Sequence, residues 1–239
     1  MRKVSFMRRK ARTDYHHGSL RRALIEAAVR VIAKRGIDAL NLRELAARVG
    51  VTPGAPYHHF PNRRGLLRGI AEEGFEKFEA LLIAERDAAP ADASARLEAL
   101  GRAYVSFAVA HPGYFRVMFH GEAMASGPTG PGLSAFRLLR DAVVACQAAG
   151  TAPTGDPAPL VLTAWSAVHG LATLWVDGAL PFEGLDPARL APEIGRMVAS
   201  MFAAMARESG EAVNRPAPHP VVVPQAGRGD GWRRRDKAR

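Results

Sequence analysis

The chain has one cysteine among 239 residues, so no internal disulfide can form and a disulfide-stapled secreted scaffold is excluded. That residue, Cys146, lies in a helical run and reads as a small hydrophobe. No run of about 18 apolar residues is present to cross a membrane, and the N-terminus lacks the apolar core of a signal peptide, so the expected location is the cytoplasm. No Ser-His-Asp order and no Gly-rich phosphate loop occurs, so an enzyme is not expected. The pairs His16-His17 and His58-His59 point their side chains in different directions, and no Cys or carboxylate set completes a site, so neither a metal nor a cofactor is expected. No stretch sustains the alternation of a strand, which leaves an all-α chain.

What the chain does have is basic charge, unevenly placed. Residues 1–68 hold 16 Lys/Arg against 4 Asp/Glu, a net +12, whereas residues 69–206 hold 9 against 15, a net −6. Residues 207–239 hold 8 against 4, and the whole chain carries +10. A basic head on an acidic body is the layout of a protein whose one end meets a polyanion.

Within the head, residues 41–60 read as two short helices hinged at Gly50. The first runs from Leu42 to Val49, capped by Asn41, with Leu42, Leu45, Ala46 and Val49 on one apolar face. Gly50 stands where a left-handed residue ends a helix most cheaply, and Val51 plugs the angle. Thr52 is the expected N-cap of the second helix, with Pro53 at its first position. Upstream, Leu20, Leu24, Ala27, Ala28, Val31 and Ile32 recur at helical spacing and end at Lys34-Arg35-Gly36. Downstream, Arg63-Arg64 open another helix against its dipole, a cost that makes sense with a phosphate in front. This is a helix-turn-helix.

The rest reads as helix after helix. Arg64–Ala88 carries Leu66, Leu67, Ile70, Phe75, Phe78, Leu81 and Leu82, and Ser94–Ala110 carries Leu97, Leu100, Tyr104, Phe107 and Ala108. A short helix, Gly113–Phe119, precedes the loop 127–132, and Leu133–Ala149 resumes the period. A strongly apolar helix from about Pro159 to Asp177 must be buried or must face another chain. Pro187–Arg207 is amphipathic through Leu190, Ile194, Met197, Val198, Met201, Phe202 and Met205. The expected divisions are a flexible basic arm over 1–18, the helix-turn-helix domain over 19–66, a larger helical domain over 67–208 and a disordered tail over 209–239. The tail has four prolines between 216 and 224 and ends near Arg233-Arg234-Arg235.

Three segments resemble the tetracycline-repressor (TetR) family of bacterial transcription regulators. They are Tyr15-His16-His17-Gly18-Ser19-Leu20-Arg21, Leu42-Arg43-Glu44-Leu45-Ala46 and Val51-Thr52-Pro53-Gly54-Ala55-Pro56-Tyr57-His58-His59-Phe60. A fourth, Trp165-Ser166-Ala167-Val168-His169-Gly170, is similar to the signature of the WHG-type C-terminal domain of such regulators. The resemblance implies a dimer formed by the last two helices of each subunit, with two recognition helices about 34 Å apart on a palindromic operator in double-stranded DNA. Thr52, Tyr57 and His59 take phosphate-contacting positions, Arg43 and Arg63 clamp the flanking backbone, and Gly54, Ala55 and His58 face the groove. Pro56, at the fourth position of the second helix, deletes its first hydrogen bond. With so few polar groups facing the bases, much of the specificity is expected from DNA shape and from the basic arm, which either enters the minor groove or is a solvated leader. A start at Met7 in place of Met1 would remove the first six residues of that arm.

The body is then a sensor for a small apolar molecule that shifts the population away from the DNA-binding form, and repression is the expected outcome. Phe78, Tyr104, Phe107, Phe115, Met118, Trp165 and His169 are the candidate pocket residues, with Phe75, Tyr114, Phe119 and Trp175 also in reach. His169 reads either as a ligand contact or as a packing histidine bonded to a backbone carbonyl or a neighbouring subunit. Two other functions compete: a sequence-nonspecific nucleoid-type DNA binder, marked by steep salt dependence without a preferred site, and a small-molecule hydrolase, marked by turnover without DNA binding.

Overall fold

The computed structural model describes residues 17–124, 131–180, 184 and 186–214. The basic arm up to residue 16, residues 127–130 of the expected loop and the tail beyond 214 lie outside these residues. No strand occurs among the described residues. The order is α1 (His17–Arg35), a 3-10 turn (Ile37–Ala39), α2 (Leu42–Arg48), a second 3-10 turn (Ala55–His58), α3 (Arg63–Ala88) and α4 (Ala93–Ala110). Then come α5 (Pro112–Met118), α6 (Gly121–Met124), α7 (Pro131–Ala148), α8 (Ala158–Val176) and α9 (Pro187–Asn214).

The helix ends follow from local chemistry. Asn41 caps α2, its Oδ1 accepting from the Arg43 and Glu44 N–H groups at 2.9 and 3.4 Å. At the other end Gly50 takes φ +75°, its N–H donates to the Ala47 carbonyl, and the Val51 N–H donates to the Ala46 carbonyl. That pair of bonds is a Schellman motif, and it sets the angle at which the chain leaves α2. Asn62 caps α3 through Gly65 N–H at 2.9 Å, and Asp92 caps α4 through Ala95 N–H at 2.8 Å.

Head and body share α3, whose 26 residues span about 39 Å at 1.5 Å per residue. Its first turns complete the head core with Leu24, Ile25, Ile32, Leu45 and Phe60, all buried. Its later turns lie on α4, which packs against α3, α5, α7, α8 and α9 and forms the axis of the body. Cys146 is buried there, and burial pushes its thiol pKa up, away from the reactive thiolate.

Helix α5 is the joint. Gly113 lies so close to α1 that a Cβ built on it would stand 2.3 Å from the Val29 carbonyl oxygen. One turn later Arg116 donates to the Ile32 and Ala33 carbonyls at the end of α1, at 3.3 and 3.0 Å. The same guanidinium bonds the Val176 carbonyl at the end of α8 and pairs with Asp177 at 3.5 Å.

Two expectations are corrected and one element is added. Helix α9 continues seven residues past Arg207, because the Ser209 hydroxyl satisfies itself on the Met205 carbonyl at 2.8 Å inside the helix and does not end it. Residues 121–124, to which the sequence assigned no element, form the single turn α6, closed by Ala123 N–H on the His120 carbonyl at 3.0 Å. And α8, with mean hydropathy 1.3 over its 19 residues, is long and apolar enough by length and composition to cross a membrane. Thr163, Ser166, His169 and Thr173 interrupt it, and Leu160, Val161, Ala164, Val168, Leu171 and Ala172 bury one side against the body, which is the pattern of a core helix with one uncovered face.

Candidate nucleic-acid interface and ligand cavity

The second element of the helix-turn-helix is a 3-10 turn of four residues, not an α-helix beginning at Pro53. The reason is Pro56. In an α-helix starting at Pro53, the residue 56 N–H would be the first to close onto the Thr52 carbonyl, and proline has none. The chain closes one residue earlier instead, with Ala55 N–H on Thr52 O at 3.0 Å and Tyr57 N–H on Gly54 O at 3.2 Å. Gly54 therefore occupies the cap position, no side chain caps the turn, and Thr52 contributes its carbonyl where its hydroxyl was expected to act.

Pro56 is buried while Thr52, Gly54, Tyr57 and His58 are exposed, and Ala55 and His59 are partly so. Tyr57, 47% exposed, is the only aromatic among the exposed large hydrophobics in the described residues of the head. Proline thus serves as the inward anchor of the turn. Arg43 is exposed at the start of α2.

Arg63 is placed differently from the other candidates. It is 30% exposed, and its guanidinium reaches Glu122 of α6 at 2.5 Å, the Ile37 carbonyl at 3.1 Å and Asp38 at 3.7 Å. In this conformation it ties the head to α6.

The body encloses a cavity of about 380 Å³ between α3, α4, α7, α8 and α9. Of the seven pocket candidates, Phe78, Tyr104 and Trp165 line it. Phe107 and Met118 do not, because their faces of α4 and α5 are filled by other side chains and both are fully buried. Phe115 and His169 face a second cavity of about 430 Å³ at the seam between head and body, together with Asp38, Arg116, Thr173 and Asp177. Phe119 and Phe75, both within the wider set, line the first cavity, and Phe119 lines the second as well. Tyr114 turns away, its hydroxyl donating to Glu73 at 2.6 Å.

A hydrogen-bonded trio stands at the wall between the two spaces. Trp165 Nε1 donates to the Tyr104 hydroxyl at 3.2 Å, and that hydroxyl lies 2.7 Å from His169 Nδ1. His169 Nδ1 is thus bonded to a side chain of its own subunit. Burial raises the Tyr104 pKa, with the Trp165 bond working against it, and burial lowers that of His169. Both groups are neutral near pH 7. Among the described residues no three His, Cys, Asp or Glu side chains come together as metal ligands.

Comparison with known proteins adds the lineage. Residues 24–70 match the model of bacterial regulatory proteins of the tetR family, and residues 97–201 match that of the tetracyclin repressor-like C-terminal domain. The chain belongs to the TetR family. The TetR-type N-terminal match runs from inside α1 through the recognition turn into α3, and the C-terminal match runs from α4 into α9. Among curated relatives, the HTH-type transcriptional repressor KstR2 of Rhodococcus jostii is 32% identical over 84 residues, which are 34% of this chain and 39% of that protein. The match therefore spans about two fifths of that relative's length. A solved structure of a protein of unknown function from Rhodococcus sp. RHA1 is 36% identical, with a TM-score of 0.66 over 80% of this chain and 99% of that one. AibR, crystallised with isovaleryl coenzyme A and operator DNA, shares the fold at 21% identity and a TM-score of 0.58, over 77% of this chain and 98% of that one.

Proposed function

We propose that this TetR-family chain is a DNA-binding transcriptional regulator, acting in the cytoplasm as a repressor. It binds a palindromic operator as a homodimer and leaves it when a small apolar molecule fills the 380 Å³ cavity. The observation that carries the reading is the recognition turn, whose outward residues Thr52, Gly54, Tyr57 and His58 sit on a head of strongly basic composition. KstR2 is named a transcriptional repressor, and AibR was crystallised with both a small molecule and operator DNA, which fits the two-site reading.

In this account Thr52, Tyr57 and His59 meet phosphates, Arg43 holds the flanking backbone, and Gly54, Ala55 and His58 face the bases. With Pro56 turned inward, His58 is the main hydrogen-bonding reader, so sequence-dependent shape supplies much of the specificity. Dimerisation uses the uncovered faces of α8 and α9. Leu162 and Leu174 on α8 are 51% and 46% exposed, with Ser166 and Gly170 between them at four-residue steps. Met197, Met201 and Met205 make the matching row on α9, at 67%, 39% and 42% exposure.

The two sites are linked through Arg63. Phe119, in the cavity wall, is three residues from Glu122, which holds Arg63 beside the recognition turn. A ligand that displaces Phe119 alters a contact for which a DNA phosphate competes. Glu122→Gln is therefore expected to tighten operator binding several-fold and to steepen the slope of log K against log salt by about one, as one more phosphate contact forms. Fluorescence anisotropy over a potassium chloride series measures both, and an unchanged slope would remove Arg63 from the phosphate contacts.

The experiment for the function itself is selection of binding sites from random DNA by the purified protein, beside Tyr57→Ala. A recovered palindrome that the variant fails to hold supports the site-specific regulator. Salt-sensitive retention without a shared sequence would instead mark a nonspecific nucleoid-type binder, and no retention would overturn DNA binding.

A further inference from the structure

The walls of the 380 Å³ cavity are almost entirely carbon, supplied by residues such as Phe75, Phe78, Leu100, Phe136 and Val168. Among the described residues no charged side chain lines it. Two ion pairs on the adjoining helices lie outside it, Lys77 with Glu73 on α3 and Arg102 of α4 with Glu85 of α3. A carboxylate or phosphate entering this space would lose its water and find no cation. The polar side-chain groups in the wall are the Tyr104 hydroxyl and the Trp165 N–H, and these are bonded to each other.

The Tyr104 hydroxyl can be accounted for position by position. It accepts one hydrogen bond, from Trp165 Nε1. Its separation of 2.7 Å from His169 Nδ1 suits either group as donor, and the hydrogens decide between them: among the described residues the phenol hydrogen meets no other acceptor, whereas a neutral imidazole can carry its hydrogen on Nε2, so the phenol donates to the imidazole. A hydroxyl has one hydrogen and two acceptor positions, and one acceptor position is left. It is answered by a group that donates. A ligand carbonyl or ether oxygen would set lone pair against lone pair.

We propose that the effector is an uncharged molecule, hydrocarbon over nearly all of its surface, whose one hydroxyl group donates to the Tyr104 oxygen. The proposal rests on the reading of this cavity as the effector site. At the packing density of protein interiors, roughly 0.75, the cavity holds a molecule on the order of fifteen non-hydrogen atoms. Leu133 and Phe136 line the cavity and are themselves 38% and 41% exposed, so the way in lies along α7 and is apolar too.

The test uses the full-length protein loaded with the fluorescent probe N-phenyl-1-naphthylamine and three competitors of one chain length: decan-1-ol, 1-methoxydecane and decanoate. Decan-1-ol is expected to displace the probe at the lowest concentration. Its ether, which cannot donate, needs about tenfold more, in line with one hydrogen bond left unmade. Decanoate at pH 8 needs at least about 30-fold more, since a charge is buried unpaired. In Tyr104→Phe the alcohol falls to the level of the ether, while the ether is unchanged. Decanoate competing as well as the alcohol overturns the uncharged class, and an ether equal to the alcohol in the unsubstituted protein overturns the hydroxyl contact without recourse to any variant. Adding the same compounds to the operator complex separates the two levels. An alcohol that displaces the probe but leaves DNA bound overturns the effector reading and not the ligand class, and a protein that takes up no probe overturns the cavity as a ligand site.

Discussion

Gly113→Ala is expected to lower the melting temperature of this protein by roughly 6–12 °C, the equivalent of about 3 kcal/mol for a domain of this size. The added methyl would stand 2.3 Å from the Val29 carbonyl oxygen and 2.9 Å from Val29 Cγ1. A side chain could turn away, but a carbonyl inside α1 is held by the helix to which it belongs. On the other side Pro112 fixes the first turn of α5, so the strain is relieved only by moving α5 off α1, and that opens the packing of Tyr114, Phe115, Val117 and Met118, all buried. Gly121→Ala is the control, because a methyl there meets nothing within 4 Å and should leave the melting temperature unchanged. Thermal unfolding followed by circular dichroism, at one fixed protein concentration, decides the matter. A Gly113→Ala protein that melts with the control would show that the two helices are not in close register.

Arg116→Met is expected to cost about 2–4 kcal/mol and to loosen two distant segments together. Methionine keeps most of the apolar stem and removes the donors. Arg116 is 24% exposed on its side chain and serves carbonyls at the ends of two helices, Ile32 and Ala33 of α1 and Val176 of α8. Those ends carry the negative pole of their helices, where carbonyls run short of partners along the chain, although the Ile32 carbonyl also accepts from the Gly36 N–H at 2.9 Å. With the guanidinium gone, hydrogen exchange should speed up near residues 32–36 and near residues 174–178 alike. Faster exchange confined to α5 would mean that Arg116 packs locally and bridges nothing.

Much of this was legible beforehand because it is written locally. Asn41 and Gly50 act on backbone groups within a few residues, so cap and hinge could be read from spacing alone. The all-α class followed from the 3.6-residue period, and the boundaries of α3, α4, α7 and α8 fell within two residues of those expected. The recognition turn was half legible. Pro56 was seen to cost a hydrogen bond, but its burial, and the change from α to 3-10 that follows, depend on what lies beneath it. Periodicity likewise tells which side of a helix is apolar and not which apolar side chain faces a void, so Phe107 and Met118 went to the core and Leu133 and Phe136 to the cavity. The joint was missed. Gly113 gives no local signal of its approach to α1, whereas Arg116, alone among Tyr114, Phe115, Val117 and Met118, did give one. A single charge in a buried apolar run must find acceptors, and the only abundant ones inside an all-helical protein are helix ends.

One property of the joint bears on how such a regulator can diversify. Gly113 lies against the Val29 carbonyl, and Arg116 grips the Ile32 and Ala33 carbonyls. Across α5 the body recognises the head through its main chain, which every sequence that folds this way presents alike. Substitutions on the outer surface of the head therefore leave these attachment points in place, and a head from another lineage with the same backbone can be grafted onto α5 without redesigning the body. The joint works as an interchangeable fitting, in which the outward surfaces of head and body are free to evolve on separate schedules.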